Sequence, residues 1–264
     1  MGFFDPERLQ VFAHRGGCLG PENTIAAFEL GMADGADGLE CDVHLSSDGI
    51  PVVHHDDTLD RTTSGNGPIA ARTAAELARL DAGCRFVRRG SYPFRGQGIG
   101  VPTLAEVLER FPDVPIIVEM KVDSAPMGEA VARTVRAAGA AERVCAAGYG
   151  WRSAAAARAA LPEMASSACH REVTWAFYRS CARLPVRRAP YGGYQVPECA
   201  SGHRIVSPRF VRHAHEAGLK VQVWTIDEEP EMRRLLSWGV DGLISNQPKI
   251  AVRVRNEVAS MAAR

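Results

Sequence analysis

No run of residues in this sequence is apolar for the ~20 positions that a bilayer-spanning helix needs, so no stable membrane insertion is expected. Charge of one sign is not in excess either: 31 Lys and Arg stand against 31 Asp and Glu. That balance argues against a nucleic-acid partner, while leaving room for a local basic site. The N-terminus has no basic stretch followed by a long apolar one, so no secretory signal is expected. The 7 cysteines are odd in number and scattered, without a C-x-x-C pair. That spacing excludes zinc-finger and thioredoxin-like chemistry and suits reduced thiols in a cytoplasmic protein. A G-x-S-x-G nucleophile elbow is missing. No cysteine stands beside His14 or His55, so a covalent enzyme nucleophile has no support. Nothing in the composition sets the oligomeric state.

What is present is a rhythm. Short apolar runs (VFAH, GLECDV, PVVHH, PIIVEMK, RVCAAGY, MASSACH, GYQVP, KVQVWTI and DGLIS) alternate with segments of helical spacing. Most of the runs are continuous rather than alternating, which suits parallel strands covered on both faces. Among the helices, PENTIAAFELGMADG offers Asn23 as N-cap and Gly35 as stop. TLAEVLERF carries a capping box in Thr103 and Glu106. In a chain of 264 residues, repeated units of this kind predict an α/β fold and a (β/α)8 TIM-type barrel. One domain would span residues 1–264. An open doubly wound sheet is the alternative. The stretch from about Asp57 to Gly100 lacks a buried strand and is rich in turns. It reads as a small insertion after the second strand, placed to cap a site.

The ends of the strands carry the chemistry. Glu40 and Asp42 are two apart on a strand and share a face. Two neighbouring carboxylates repel unless a cation lies between them or one of them holds a proton, and oxygen ligands suit Mg²⁺ or Ca²⁺. Glu119, at the end of PIIVEMK, would be a third carboxylate. Lys121, on the same face, would be a cation for an anionic substrate. His55 closes the PVVHH run while His54 faces the other way. His44 shares the face of Glu40 and Asp42, but the following SSDG turn would carry it beyond the cluster. In VFAHRGG a strand ends in His14 and Arg15, a titratable group beside a guanidinium that can grip phosphate in bidentate fashion. Two histidines, three carboxylates, one Arg and one Lys at the mouth of one barrel meet the needs of metal-assisted phosphodiester cleavage.

These pieces together resemble the glycerophosphodiester phosphodiesterase family. The resemblance runs in order through AHRG, PENTIAAF, LECDVHLSSDGIPVVHHDDTLDRTT, VPTLAEVL, IIVEMK, VQVWTI and VDGLISNQP. It implies that Glu40, Asp42 and Glu119 hold one divalent cation. It also implies that His14 and His55 are the acid–base pair, that Arg15 and Lys121 meet the phosphate, and that Trp224 lines the substrate pocket. The family often ends its last barrel strand with aspartate where this chain has Asn246, a position outside the implied ligand set. The expected reaction is hydrolysis of a small-molecule glycerophosphodiester to sn-glycerol 3-phosphate and an alcohol. Alternatives are a lysophospholipase D-like phosphodiesterase, with Phe86, Tyr92 and Phe94 of the insertion lining a larger apolar pocket, and a non-catalytic phosphoester-binding barrel. No histidine or carboxylate of the set is missing, which speaks against the last.

Overall fold

The computed structural model describes residues 2–4, 9–184, 189–200 and 202–262. Its strands are β1 (Gln10–His14), β2 (Gly38–Leu45), β3 (Pro51–Val53), β4 (Ile116–Met120), β5 (Val144–Ala147) and β6 (Ala165–Ser166), followed by β7 (Gly193–Pro197), β8 (Cys199–Ala200), β9 (His203–Arg204), β10 (Lys220–Trp224) and β11 (Gly242–Ser245). The main helices are α1 (Ile25–Ala33), α2 (Ala74–Leu77), α3 (Leu104–Arg110), α4 (Ala125–Ala137) and α5 (Trp151–Ala160), then α6 (His170–Cys181), α7 (Pro208–Glu216), α8 (Glu229–Ser237) and α9 (Pro248–Ala262).

Among the described residues, eight parallel strands pair in the order β6-β5-β4-β2-β1-β11-β10-β7. The gap between β6 and β7 is bridged by Ser167 against Gly193. Gly192 donates to the Ser166 carbonyl and Ala168 to that of Gly193, at 3.0 and 2.9 Å. The result is a barrel with helices outside, not an open sheet. Its strands are buried on both faces, which is why they read as unbroken apolar runs. Leu39, Cys41 and Val43 of β2 face outward onto α3 and α4 with Ile116 and Val118 of β4. Inward lie Phe12, Ile117, Cys145 and Ile244. Phe3 joins that inner group, stacked on Phe12 at 5.7 Å between ring centroids. Phe4 packs against the backbone of Gly192 and Gly193. The opening residues therefore close the floor of the barrel.

Two local readings need correction. The PVVHH run is not a parallel barrel strand: β3 pairs antiparallel with β2. Only Ser46–Ile50 separates them, closed by Ser46 N–H to the Ile50 carbonyl at 3.0 Å, and a parallel crossover needs a dozen residues or more. The N-cap of α1 is Thr24, whose side chain accepts from Ala27 N–H, and not Asn23. Asn23 sits at φ +59 and has another task. The capping box of Thr103 and Glu106 opens α3 as its spacing implies.

The segment between β3 and α3 contains one short 3₁₀ turn (Ile69–Ala71) and α2, built on its own apolar cluster of Val52, Leu59, Ile69, Leu77 and Val101. Phe86 and Phe94 meet edge to face at 5.3 Å, and Arg95 lies over Tyr92 at 3.5 Å.

Candidate active site

The parallel register places the charged strand ends side by side. His14 of β1 stands opposite Glu40 of β2, and Asp42 of β2 opposite Glu119 of β4. One oxygen from each of Glu40, Asp42 and Glu119 lies within 4.8 Å of the others. At that separation two unit negative charges repel by about 3 kcal/mol in an effective dielectric of ~20. Partial compensation comes from Arg15, whose Nε is 3.0 Å from Asp42 Oδ2, and from Lys121, whose Nζ is 3.3 Å from Asp42 Oδ1 and 3.2 Å from Glu119 Oε1. Even so, Asp42 Oδ1 is buried without a hydrogen bond. Burial, with Asp42 and Glu119 beside it, pushes Glu40 well above the ordinary carboxylate range. Burial also raises Glu119, against the pull of Lys121. Lys121 is raised by Glu119 and Asp42 despite its own burial. An all-oxygen donor set, in which the buried Asp42 Oδ1 has an ion pair but no hydrogen bond, fits a hard divalent cation.

Asn23 holds the middle carboxylate in place. Its Nδ2 donates to Asp42 Oδ2 at 2.8 Å, and its Oδ1 accepts from Asp42 N–H at 3.2 Å. Arg15 is bent toward the cluster by a positive φ of 52, and its N–H donates to Glu40 Oε2 at 3.1 Å. Gly16 permits the bend, since a Cβ there would fall 2.5 Å from the Ala27 carbonyl carbon.

Of the four histidines that line the cavity, His14 and His55 lie beside the carboxylate cluster, and each is held by Nδ1. His14 Nδ1 meets Asn246 Oδ1 at 2.8 Å, and its Nε2 is 3.9 Å from Glu40 Oε2. Burial and then Arg15 lower its pKa, which favours the neutral ring. His55 Nδ1 meets Asp56 Oδ1 at 2.6 Å. Asp56 also binds Arg61, Arg61 binds Glu22 at 2.7 and 2.8 Å, and Glu22 reaches Arg15 at 3.2 Å. His54 points away, bound to Thr62 Oγ1 at 2.9 Å and to the Asp56 carbonyl. His44 is a strut: its Nε2 reaches the His55 carbonyl at 3.0 Å, outside the carboxylate cluster.

All of this opens into one cavity of about 480 Å³. His14, Arg15, Glu40, His55, Glu119, Lys121 and Trp224 line it, with Asp42 directly beneath. No residue between 57 and 100 does so, although that segment reads as a cap in sequence. Phe86, Tyr92 and Phe94 are taken up by their own contacts. The outer wall comes instead from Val173, Thr174, Phe177 and Tyr178 of α6, with Tyr149 and Ile205.

A family model described as "Glycerophosphoryl diester phosphodiesterase family" matches residues 14–250. The chain belongs to that family. It is accordingly a phosphodiesterase, and the barrel mouth is where such enzymes keep their chemistry. A glycerophosphodiester phosphodiesterase of Caldanaerobacter subterraneus subsp. tengcongensis is 32% identical over 253 residues, which is 92% of this chain and 96% of that protein. One from Bacillus subtilis is 28% identical over 95% of this chain and 87% of its own length. An Oleispira antarctica phosphodiesterase, solved with the product sn-glycerol-3-phosphate, superposes with a TM-score of 0.74 at 27% identity, covering 94% of this chain and 96% of that one. The diesterase domain of an uncharacterized Mycobacterium tuberculosis protein superposes at 0.81 and 23% identity, over 94% of this chain and 100% of that one, a likeness of fold. Among the described residues, no helix of this phosphodiesterase is long and apolar enough to cross a membrane.

Proposed function

We propose that the protein hydrolyses glycerophosphodiesters to sn-glycerol 3-phosphate and an alcohol, with one divalent cation, Mg²⁺ or Ca²⁺, held by Glu40, Asp42 and Glu119. The observation that carries this reading is the closeness of those three carboxylates beneath a cavity whose lining includes His14, His55, Arg15 and Lys121. The ion, when bound, neutralises charge on the phosphoryl oxygens. Arg15 and Lys121 meet the same oxygens from the protein side. His14, kept neutral by burial and Arg15, removes the proton of the substrate's glycerol 2-hydroxyl through Nε2. The hydroxyl oxygen attacks phosphorus, and the bond from phosphorus to the alcohol oxygen breaks. His55, backed by the Asp56 carboxylate, gives the departing oxygen its proton. Water then opens the cyclic phosphate with the two histidines in exchanged roles. Trp224 packs against the bound glycerol.

The apolar outer wall of Val173, Phe177 and Ile205 supports a second reading, a lysophospholipase D-like preference for a larger apolar substrate. A coupled glycerol 3-phosphate assay over a panel of glycerophosphodiesters, with and without chelator, tests the proposal. Release of glycerol 3-phosphate that stops on chelation and returns with added ion is expected. Glu119→Gln should stay folded and bind the ion more weakly in calorimetric titration. Full turnover by metal-depleted protein in excess chelator overturns the metal assignment.

A further inference from the structure

Asn246 follows β11 directly, and Asp227 lies just beyond β10. The register of Ala13 against Ser245 brings Asn246 beside His14 at the neighbouring strand end. Both carboxylate oxygens of Asp227 are engaged by this segment. Its Oδ1 accepts from Ser245 Oγ at 3.0 Å and from Asn246 N–H at 2.8 Å, and its Oδ2 accepts from Asn246 Nδ2 at 2.8 Å. The last bond settles which way the Asn246 amide points. Reversed, it would set a carbonyl oxygen against a carboxylate oxygen and waste the NH₂ group. With Nδ2 committed to Asp227, the atom facing His14 Nδ1 is Oδ1. A carbonyl oxygen only accepts, so His14 Nδ1 must carry a hydrogen. The neutral ring then has its lone pair on Nε2, the nitrogen on the side of Glu40.

We propose that Asp227 and Asn246 form a positioning pair that selects the Nδ1–H tautomer of His14. Neither lines the cavity, so both act through the histidine. The catalytic consequence rests on the acid–base role given to His14 above, whereas the tautomer itself does not. Chemically the pair resembles a carboxylate that orients a catalytic imidazole, with one amide inserted between them. The inserted amide keeps the negative charge one residue away from the ring.

Reversing the pair tests this. In Asp227→Asn the Asn246 N–H, a fixed donor, keeps the new amide's oxygen at the Oδ1 position, so its NH₂ opposes that of Asn246, which turns over, presents its donor to His14 and selects the Nε2–H form. Asp227→Asn combined with Asn246→Asp restores every bond: the amide now at 227 donates to the carboxylate now at 246, and that carboxylate accepts from His14 Nδ1. The protein, with Mg²⁺ present, is labelled with ¹⁵N-histidine and observed about two units above the ordinary histidine pKa of ~6.5. The His14 signal is identified by its loss in His14→Gln. Wild type should show Nδ1–H, the single variant Nε2–H, and the double variant Nδ1–H again. On glycerophosphocholine the single variant should lose roughly 10²–10⁴-fold in kcat with little change in KM, and the double variant should recover most of it. An unchanged tautomer in Asp227→Asn overturns the proposal, as does a folded double variant that recovers neither signal nor rate. Should Asp227→Asn fail to fold, Asn246→Leu removes the acceptor alone. A mixture of tautomers then supports the pair, and an unaltered Nδ1–H form overturns it. If His14→Ala keeps wild-type turnover, the catalytic role of His14 falls while the tautomer result stands.

Discussion

His55 and Asp56 are sequence neighbours whose side chains close on each other, with Nδ1 and Oδ1 2.6 Å apart. The contact is the end of a chain of charges. Arg61 takes Asp56 through Nε at 2.7 Å and then crosses to Glu22, which meets Arg15. One histidine and the arginine beside the other are thus tied across the cavity by three intervening side chains, Glu22, Arg61 and Asp56.

That chain sets a pH-dependent contribution to stability. Arg61 holds Asp56 well below the usual carboxylate range, and it lowers Glu22 against the effect of burial. A depressed carboxylate stabilises the fold above its unfolded pKa, ~3.9 to 4.3 for these types, and the contribution fades as pH falls through the folded value. Arg61→Met should lower stability near neutral pH by about 1 kcal/mol, since Arg61 is half exposed and its pairs are screened. Thermal melts from pH 7 to pH 3 should show the gap to wild type shrinking below about pH 4. A gap constant over the whole range contradicts the assignment.

The histidine pair makes a kinetic prediction. In the proposed mechanism one ring is neutral and the other charged, so kcat/KM should follow a bell in pH. His14→Ala and His55→Ala should each cost roughly 10²–10⁴-fold with a poor leaving group. If both variants turn over at the wild-type rate, the pair is wrongly identified. A loss confined to one variant leaves that residue alone in the role.

Selection of the alcohol should follow the outer wall rather than the 57–100 segment. Phe177→Ala is expected to change the ranking of alcohol groups in kcat/KM, because Phe177 lines the cavity. Phe86→Ala and Tyr92→Ala are expected to leave that ranking alone and lower the melting temperature only. A changed ranking in Phe86→Ala, with Phe177→Ala neutral, would reverse this division.

Attack by the substrate's own hydroxyl is tested with a diester whose glycerol 2-hydroxyl is replaced by hydrogen. An adjacent nucleophile reaches effective molarities of about 10⁵–10⁸ M, so its removal should abolish turnover while leaving competitive inhibition. Cleavage near the rate of the natural diester points to direct attack by water.

The barrel and the line-up of Glu40, Asp42 and Glu119 were legible because each lies at the end of an apolar run, and parallel strands bring such ends to one mouth. Register did the rest, and register follows from the runs themselves. The Asn23 grip on Asp42 was not legible. An Asn before a Thr and an apolar helix reads as a cap, and only the folded loop shows the amide turned inward. The role of Asn246 is hidden in the sequence for a similar reason, since no ligand pattern includes it. Its meaning depends on Asp227, which is 19 residues away along the chain. The aromatics near residue 90 read as a pocket wall in sequence, but an aromatic cluster has the same sequence signature whether it faces a ligand or itself.

The floor that Phe3 and Phe12 close has a consequence for traffic. In the proposed reaction, substrate and both products would share one doorway at the barrel mouth. The alcohol would be released beside Phe177 and Tyr178 of the outer wall, whereas glycerol 3-phosphate would be left at the bottom among Arg15, Lys121 and the ion. Departure would then be ordered, alcohol first and phosphate last. The phosphate product waits where the next diester must bind, so it should act as a competitive inhibitor, and the alcohol should not.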